Sequence, residues 1–134
     1  MNITNSNKKT FRINIRNKNT NKLAATLKFD VTPELMYIKG GMTHVNYRKR
    51  GLGELLRALA TKSGHVAGST EGYQYGSFEN ETPVPGKLPG SSKIMRRLGW
   101  NVNNTTFDAK FIYGKNNIRK VNSFINMYLG RQLL

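Results

Sequence analysis

The sequence predicts one α/β domain, and three observations support this. Its 134 residues are the length of a single ordinary domain. Apolar and polar side chains alternate near the start of the chain, as they do in half-buried strands. At Leu52 the apolar spacing changes to that of a helix. The strand-to-helix junction that results, over residues 47–53, is the feature on which the functional interpretation depends.

The first half of the chain predicts three strands. The first is "TFRINIRN", and "LAATLKFDV" returns after a turn-rich break, so residues 11–31 predict a β-hairpin. The third is "LMYIKGGMTHV". Gly40 and Gly41 lie in its middle, and glycine inside a strand pattern indicates a bulge or a close backbone approach.

The helix that begins at Leu52 has the clearest pattern in the chain. Its apolar stripe recurs at helical spacing and contains four leucines: Leu52, Leu55, Leu56 and Leu59. Three charged residues lie off that stripe: Glu54, Arg57 and Lys62. Gly64 follows Ser63 and is the expected C-cap.

The remaining elements follow from shorter patterns. "HVAGSTEGYQYGSF" predicts one strand, and "ENETPVPGKLPG" predicts a long loop, of the kind that is usually functional or mobile. "SSKIMRRLGW" predicts a short helix with its N-cap at Ser91 or Ser92 and a stop at Gly99. After the turn "NVNNTT", "FDAKFIYG" predicts a late strand. The last segment predicts a helix with one apolar face, formed by Ile118, Val121, Ile125, Tyr128 and Leu129. We expect this face to pack on the core; contact with a second subunit is the less favoured alternative.

The chain carries a formal net charge of +15, from 22 Lys and Arg against 7 Asp and Glu. A charge of this size predicts fast, salt-sensitive attraction to polyanions. Nucleic acid, an anionic membrane surface and a phosphorylated cofactor are all candidates. The codon bias of an AT-rich genome would also enrich Lys and Asn, but it explains the excess of positive charge less well.

Cysteine is absent from the sequence, which excludes thiol nucleophiles, disulfides and zinc-thiolate sites. No apolar run approaches the roughly 18 residues that span a bilayer, and the N-terminal segment lacks the apolar core of a signal peptide. We therefore expect a soluble, intracellular protein, cytoplasmic and without a membrane partner. Residues 1–9 are polar, and we expect them to be disordered.

The junction combines cations and glycines at the point where a helix begins. Arg48, Lys49 and Arg50 precede Gly51 and Gly53. A helix N-terminus presents unpaired N–H groups and the positive end of its dipole. Glycine lets a phosphate approach the backbone, and arginine can bind it in a bidentate way. The pattern therefore indicates a phosphate site, or else a basic turn that needs a flexible backbone.

Two common phosphate loops do not fit this junction. A Walker A loop ends in Gly-Lys-Ser/Thr, whereas Gly53 is followed by Glu54. The dinucleotide fingerprint needs a third glycine at position 56, which is Leu56.

The segment "VNYRKRGLGELLRALA" resembles the acetyl-coenzyme A (acetyl-CoA) motif of the GCN5-related N-acetyltransferases, the GNAT superfamily. The signature of that motif is Gln/Arg-x-x-Gly-x-Gly/Ala, and Arg48, Gly51 and Gly53 fill its specified positions. "KIMRRLGW" is similar to the family's short helix that ends in Leu-Gly-Phe, with Gly99 at the glycine. The two matches and their connecting order cover roughly residues 11–113.

The resemblance implies a GNAT-like α/β fold, with a central mixed, mostly antiparallel sheet flanked by helices. The N-terminal helical hairpin would be reduced or absent, because the motif comes after only about forty residues. The resemblance also implies acetyl-CoA as co-substrate, without a metal. The strand around Met42 and Thr43 would bind the pantetheine arm through its backbone. The pyrophosphate would lie on the loop residues Arg48, Lys49, Arg50, Gly51, Leu52 and Gly53.

The proton donor and acceptor are less well defined by the resemblance. Many GNAT members carry a Tyr acid four residues before the glycine of the Leu-Gly-Phe turn, and here that position is Met95. Tyr73 and Tyr75 remain as acid candidates, and alternation would put both on one strand face. Base candidates are Glu71, His44, Glu79 and Glu81. Each candidate has a structural alternative, as a half-buried strand aromatic, a solvated loop charge or a satisfied histidine.

Three functions are consistent with these patterns. The first is an N-acetyltransferase whose acceptor amine lies on nucleic acid (a DNA base or an aminoacyl-tRNA, both known acceptors among the fold's relatives), on a protein or on a small molecule. The second is a catalytically degenerate GNAT-fold protein that binds DNA or RNA through its basic surface. The third is a basic structural protein with a coincidental strand-turn-helix. The short, divergent pattern suggests a phage or virus as its source, and the terminal helix allows a homodimer.

Overall fold

The computed structural model describes residues 8–48, 50–75 and 90–133. Lys49, Glu79, Glu81 and nearly all of the predicted loop lie outside the described residues. Lys9, the last residue of the segment expected to be disordered, already belongs to the first strand. The described residues form six strands and three α-helices, in the order β1 (Lys9–Arg16), β2 (Leu23–Val31), β3 (Leu35–Thr43), α1 (Leu52–Val66), β4 (Glu71–Gln74), α2 (Gly90–Arg97), β5 (Asn101–Val102), β6 (Ala109–Ile112) and α3 (Lys115–Leu133).

The strands form one sheet in the order β1-β2-β3-β4-β6-β5. Every neighbouring pair is antiparallel except β3 and β4, which run parallel. The predicted mixed, mostly antiparallel sheet is therefore confirmed. Before α1, the described residues contain only strands, turns and one turn of 3-10 helix, Val45–Tyr47, in agreement with a reduced N-terminal helical hairpin.

The predicted hairpin of residues 11–31 is confirmed. β1 pairs antiparallel with β2, and β2 spans the whole "LAATLKFDV" segment. In the connecting turn, Asn17 Oδ1 accepts hydrogen bonds from the N–H groups of Asn19 (2.8 Å) and Thr20 (3.0 Å). Asn21 takes a left-handed φ of 60°. Asparagine suits both tasks, because its side chain can bond to nearby backbone and it tolerates this conformation.

α1 begins at Leu52, as its apolar stripe predicts, and Gly51 is its N-cap with a left-handed φ of 77°. The helix ends at Val66, so the predicted C-cap at Gly64 is wrong. A Cβ on Gly64 would lie 2.8 Å from Met36 Cβ and would overlap the Tyr113 hydroxyl. Close packing of α1 on the sheet, rather than helix termination, therefore requires this glycine.

Glu54 lies off the leucine stripe and is nevertheless buried, with 7% of its surface exposed. Its Oε1 accepts a hydrogen bond from Arg97 Nε at 2.8 Å, so a cation from α2 pairs with this carboxylate. The stripe predicts the face of α1 that packs on the sheet. It does not reveal that α2 covers a further part of the helix.

α2 begins at Gly90, ahead of both predicted N-caps, so Ser91 and Ser92 lie inside the helix. The first turn of α2, "GSS", contains no apolar residue, and the apolar spacing therefore carries no signal for its start. Gly99 follows the helix with a φ of 94°, which confirms the predicted stop.

Two short strands differ in extent from the predictions. The strand predicted over residues 65–78 is reduced to β4 in the described residues, because α1 continues through Val66 and a turn follows it. Asn101–Val102, predicted as part of a turn, pairs with β6 and forms β5. Such a two-residue strand is defined by its partner rather than by its own pattern.

The core lies between one face of the sheet and the three helices. Its fully buried strand residues include Leu27, Phe29, Met36, Ile38 and Phe111, and the helices add Leu56, Met95 and Val121. α3 packs against α1, and Ile118 and Val121 are buried, which confirms the favoured core role for the first part of the predicted face. Leu129, predicted on the same face, is 51% exposed, so its assignment to the core is wrong. Among the described residues, no helix combines the length and apolar character needed to cross a membrane.

Candidate functional site

β3 and β4 run side by side for four residue pairs, and their described pairing then ends. Their last paired residues are Ile38 and Gln74, whereas β3 continues to Thr43 and stays paired with β2 on its other side. Within the described residues, the end of β3 therefore presents one open backbone edge to a gap. Such an edge can accept an extended chain through hydrogen bonds.

A β-bulge lies in β3 directly after its last residue paired with β4. The register with β2 shifts at this point, so that Lys39 is an extra residue in β3, and a bulge bends the strand that carries it. A Cβ on Gly41 would lie 2.6 Å from Leu27 Cδ1, whereas a Cβ on Gly40 would meet no atom within 4 Å. The predicted close approach is therefore found at Gly41, and the bulge lies at Lys39, next to Gly40.

The basic turn after β3 is held in place by side-chain contacts within the turn and with the β1–β2 connection. Arg48 Nε donates a hydrogen bond to the Thr43 carbonyl at 3.3 Å. Tyr47 Oη accepts one from Asn17 Nδ2 at 3.0 Å. The Arg50 guanidinium lies 5.5 Å from the centre of the Tyr47 ring, within the range of a cation–π contact. Both arginines therefore have defined positions beside the start of α1.

The N-terminus of α1 has no side-chain cap. Gly51 is the N-cap, and its carbonyl accepts the first intrahelical bond, from the Leu55 N–H at 2.9 Å. The N–H groups of Leu52, Gly53 and Glu54 have no hydrogen-bond acceptor among the described residues. Unpaired N–H groups at the positive end of a helix dipole favour anions such as phosphate.

A cavity of about 340 Å³ lies at this helix end. Its lining comes from the end of β3, the basic turn, the first turn of α1 and α2: Thr43, Tyr47, Arg48, Gly51, Leu52, Gly53, Glu54, Ile94 and Arg97. A Cβ on Gly53 would sit between Arg57, Ile94 and Thr43, at 3.5–3.8 Å from each. Any larger side chain would therefore occupy the cavity, and glycine keeps it open.

The structure brings five of the predicted cofactor residues to this cavity: Thr43, Arg48, Gly51, Leu52 and Gly53. Met42 precedes Thr43 on β3, so its side chain points to the other face of the sheet, where it is 52% exposed. Arg50 lies against Tyr47 instead. Lys49 is outside the described residues. The cavity therefore lies where the end of β3 meets the first turn of α1, with Arg48 and Arg97 among its lining residues.

α2 adds two cavity residues that sequence reasoning missed, Ile94 and Arg97. Their i, i+3 spacing puts them on one side of a helix, so a weak signal was present in "KIMRRLGW". Nothing local to that segment indicates that this side meets α1. The partner of Arg97 is Glu54, which lies 43 residues earlier in the chain.

Arg57 connects the first turn of α1 with the end of β4. Its Nη1 donates a hydrogen bond to the Gly53 carbonyl at 3.3 Å. Its Nε donates to Gln74 Oε1 at 3.4 Å. A guanidinium therefore lies between the cavity and the place where the described pairing of β3 with β4 ends. In the sequence this residue was distinguished only by its place off the leucine stripe.

Tyr73 and Tyr75 lie on one face of β4, as alternation predicts, with ring centres 5.0 Å apart in an edge-to-face arrangement. Tyr37 of β3 lies 6.1 Å from Tyr73 and 5.8 Å from Tyr75 between ring centres. These three residues are called the tyrosine cluster below. Desolvation raises the pKa of Tyr73, and a hydrogen bond with Asp108 raises it further. Tyr75 follows the last paired residue of β4 and is 62% exposed.

Glu71 does not lie at the gap. It occupies the opposite end of β4, where it pairs with Leu35. Its Oε2 is 3.2 Å from Lys110 Nζ. Glu71 is therefore separated from Tyr75 by the length of the strand, and its carboxylate is engaged in an ion pair.

His44 and Met95 also have structural roles. His44 caps the 3-10 turn, and its Nδ1 accepts a hydrogen bond from the Asn46 N–H at 3.3 Å. A neutral imidazole has one acceptor nitrogen, so this bond uses the lone pair that a base would need. Met95 is fully buried in the core, and the position of the usual family acid therefore supplies no proton donor.

No protein-family model matches the sequence, and no curated protein sequence matches it. Solved structures do match. A proposed acetyltransferase from Agrobacterium tumefaciens aligns at a TM-score of 0.57 and 16% identity, over 79% of this chain and 76% of that one. A tandem GNAT protein from the clavulanic acid biosynthesis pathway, solved without AcCoA, aligns at a TM-score of 0.56 and 17% identity. This alignment covers 73% of this chain and 30% of that one. A cAMP-binding acyltransferase from Mycobacterium smegmatis aligns at a TM-score of 0.59 and 15% identity. This alignment covers 89% of this chain and 38% of that one.

These likenesses define the class of fold. The described chain has the GNAT fold, in which a mixed sheet with one parallel pair is flanked by helices. It is a compact and divergent example, with 15–17% identity to these three structures. The chain spans only 30–38% of the second and third proteins.

Proposed function

We propose that this protein is an N-acetyltransferase that takes its acetyl group from acetyl-CoA. The observation that carries the proposal is that the described pairing of β3 with β4 ends beside the uncapped start of α1. The gap presents an open strand edge, the helix end presents unpaired N–H groups, and Gly53 leaves the space between them open. The acetyltransferases among the matched structures share this fold and support the same use of it.

The chemistry of acetyl-CoA fits both halves of this site. Its pyrophosphate is an anion, for which the first-turn N–H groups of α1, Arg48 and Arg97 provide donors. Its pantetheine arm carries amide groups, which can hydrogen-bond to the open edge of β3 near Met42 and Thr43 as an added strand would. The donors and the open edge meet at Thr43, which both ends β3 and lines the cavity.

The reaction needs a proton donor at the gap. As the amine nitrogen attacks the thioester carbonyl carbon, a C–N bond forms, the C–S bond breaks and the sulfur leaves as a thiolate. The amine loses a proton to solvent water, and the thiolate takes one from a general acid. Tyr75 lies at the end of β4 and is mostly exposed, so we assign this donor role to its hydroxyl.

Tyr73 positions Tyr75 in this scheme. Desolvation and a hydrogen bond with Asp108 raise the pKa of its hydroxyl above the usual value, so the hydroxyl is protonated at neutral pH, as an unperturbed tyrosine also is. Its ring packs edge-to-face against Tyr75. We assign no base role to Glu71 or His44, because an ion pair occupies the first and a backbone hydrogen bond occupies the second.

We further propose that the acceptor amine is carried on nucleic acid. A net charge of +15 attracts a polyanion and repels a cationic polyamine. A catalytically degenerate GNAT-fold protein that binds DNA or RNA is the second candidate. The complete burial of Met95, at the position of the usual family acid, favours that alternative.

Ligand-induced stabilisation tests the acetyl-CoA site. Gly53→Val would fill the cavity. Gly130→Val is the matched control, because position 130 is also helical and a Cβ there meets no atom within 4 Å. Saturating acetyl-CoA should stabilise the wild type and Gly130→Val by about 2–4 kcal/mol and leave Gly53→Val unchanged. Equal stabilisation of all three proteins, or of none, would refute the assignment.

A further inference from the structure

The sheet face opposite the core carries no helix in the part of the chain that the structure describes. The buried strand residues of the core all point toward the helices, and alternation puts their neighbours on the opposite side. We call that side the open face. The residues of the open face that matter here are Arg12, Lys28, Tyr37, Tyr73, Tyr75 and Lys110.

The tyrosine cluster lies in the middle of the open face. Tyr37 and Tyr73 are opposite each other on the two central strands, β3 and β4, and Lys110 is opposite Tyr73 on β6. Tyr75 packs against both other rings and keeps 62% of its surface exposed. Exposed aromatic rings on a sheet face are stacking surfaces for unpaired bases.

Two cations lie near the cluster on β1 and β2, one step along the strands from Asp30, which is opposite Tyr37 and pairs with Lys39. Arg12 and Lys28 are opposite each other, and neither has a carboxylate partner among the described residues. Lys39 and Lys110 differ from them, because each is 3.2 Å from a carboxylate oxygen. The open face therefore combines an aromatic part with a neighbouring part whose positive charge is not neutralised.

We propose that the open face binds single-stranded nucleic acid, with bases stacked on the tyrosine cluster and phosphates near Arg12 and Lys28. Every base has a π-face, so aromatic rings bind single strands with little regard to sequence, while cations follow the backbone. A duplex keeps its base faces inside the stack and offers no surface to the tyrosines. An acidic peptide would satisfy the cations but would leave the exposed ring of Tyr75 without a stacking partner.

The open face adjoins the gap between β3 and β4. Tyr75 belongs to both, and Met42 extends from the free part of β3 onto the open face. A strand stacked on Tyr75 therefore brings base amines to the place where the thioester is proposed to lie. This delivery of the acceptor rests on the proposed acetyl transfer, whereas strand binding itself needs no acetyl-CoA.

Fluorescence anisotropy without acetyl-CoA tests the binding of the strand. The probes are short labelled oligocytidylates as single-stranded DNA and single-stranded RNA, and the same DNA as a duplex. We expect at least one single strand to bind more tightly than the duplex. Tyr75→Ala should weaken that binding about tenfold or more, because it removes a stacking ring, and Tyr75→Phe should retain it. Tyr75 is exposed, so neither variant threatens the fold.

Matched charge variants separate a defined surface from general attraction. Arg12→Ala/Lys28→Ala should weaken binding and reduce the slope of log K against log salt by about 1.4, roughly 0.7 for each lost phosphate contact. Lys115→Ala/Arg119→Ala removes the same charge from the exposed surface of α3 and should change binding little.

Four results would overturn the proposal: no binding of either single strand, equal binding of the duplex, equal losses in the two double variants, or an unaffected Tyr75→Ala. Competition by polyglutamate as strong as that by an unlabelled strand would also overturn it, in favour of an acidic protein partner. Because acetyl-CoA is absent, any of these results leaves the cofactor site untouched. Failure of the Gly53→Val experiment, conversely, leaves strand binding untouched.

Discussion

The Arg97 guanidinium and the Glu54 carboxylate form a hydrogen-bonded ion pair of 2.8 Å that joins α2 to the first turn of α1. The Glu54 side chain is 9% exposed and the Arg97 side chain 64%, so the acid is buried and the base reaches solvent. Both residues line the cavity. The pair therefore holds a cation of α2 beside the unpaired N–H groups of α1, where the pyrophosphate is proposed to bind.

Arg97→Met should lower the free energy of unfolding by about 1–3 kcal/mol, because the buried Glu54 carboxylate loses its cation. The lower part of that range is expected, since Arg97 is largely solvated. The double variant Glu54→Gln/Arg97→Met should regain most of the loss, because it leaves no unpaired charge. Urea unfolding of the four proteins of this cycle measures the coupling, and strictly additive losses would contradict it.

Gly64→Ala should destabilise the fold by about 1–3 kcal/mol, because the added Cβ meets Met36 Cβ at 2.8 Å and overlaps the Tyr113 hydroxyl. Gly130→Ala is the control. A Cβ there meets no atom within 4 Å, so the better helix propensity of alanine should stabilise the protein by up to about 1 kcal/mol. Thermal unfolding of both variants checks the difference. If Gly64→Ala were as stable as Gly130→Ala, the close packing described for α1 would be incorrect.

The pKa of Asp30 is lowered in the folded protein. Burial alone would raise it, but a hydrogen bond from Thr10 and the charges of Lys39 and Lys8 outweigh that effect. A carboxylate of this kind stabilises the fold above its unfolded pKa, near 3.8, and loses that contribution as the pH falls through its folded value. Asp30→Asn should therefore be less stable than the wild type near neutral pH, and the difference should shrink below about pH 4. Denaturant unfolding over a pH series tests this, and a difference independent of pH would argue against it.

Tyr75→Phe should lower kcat for acetyl transfer about 100-fold or more, because it removes the proposed general acid. The KM for acetyl-CoA should stay unchanged, since Tyr75 does not line the cavity at the start of α1. Tyr73→Phe should have a smaller effect, as expected of a positioning residue. Thiol release with a single-stranded oligonucleotide acceptor measures both variants. A kcat for Tyr75→Phe within a factor of two of the wild type would assign the acid to another group.

Much of this fold could be predicted from short-range patterns. β2 has the predicted bounds, α1 begins at Leu52, and the paired glycines Gly40 and Gly41 lie at a bulge. Each of these features depends on residues close together in the chain, so alternation, helical spacing and glycine conformation are sufficient signals. The cations and glycines of the junction are also close together in the chain, so the hypothesis of a phosphate site there needs no distant residue.

Features that depend on distant residues could not be predicted. The burial of Glu54 depends on Arg97, 43 residues away, and the requirement for Gly64 depends on Tyr113 and Met36. Tyr37 joins the tyrosine cluster only because β3 and β4 pair in parallel. No local pattern specifies which strands become neighbours, so the cavity wall on α2 and the centre of the open face are visible only in the folded chain.

A crystal structure of the protein with acetyl-CoA tests the central claim most directly. We expect the pyrophosphate to lie against the N–H groups of Leu52, Gly53 and Glu54, and the pantetheine arm to lie along the free edge of β3. The apolar groove beside β1 and α1, lined by Phe11 and Val66, should be empty of ligand. Acetyl-CoA bound in that groove would contradict the proposed function. So would a crystal grown with saturating acetyl-CoA that shows no ligand at the start of α1.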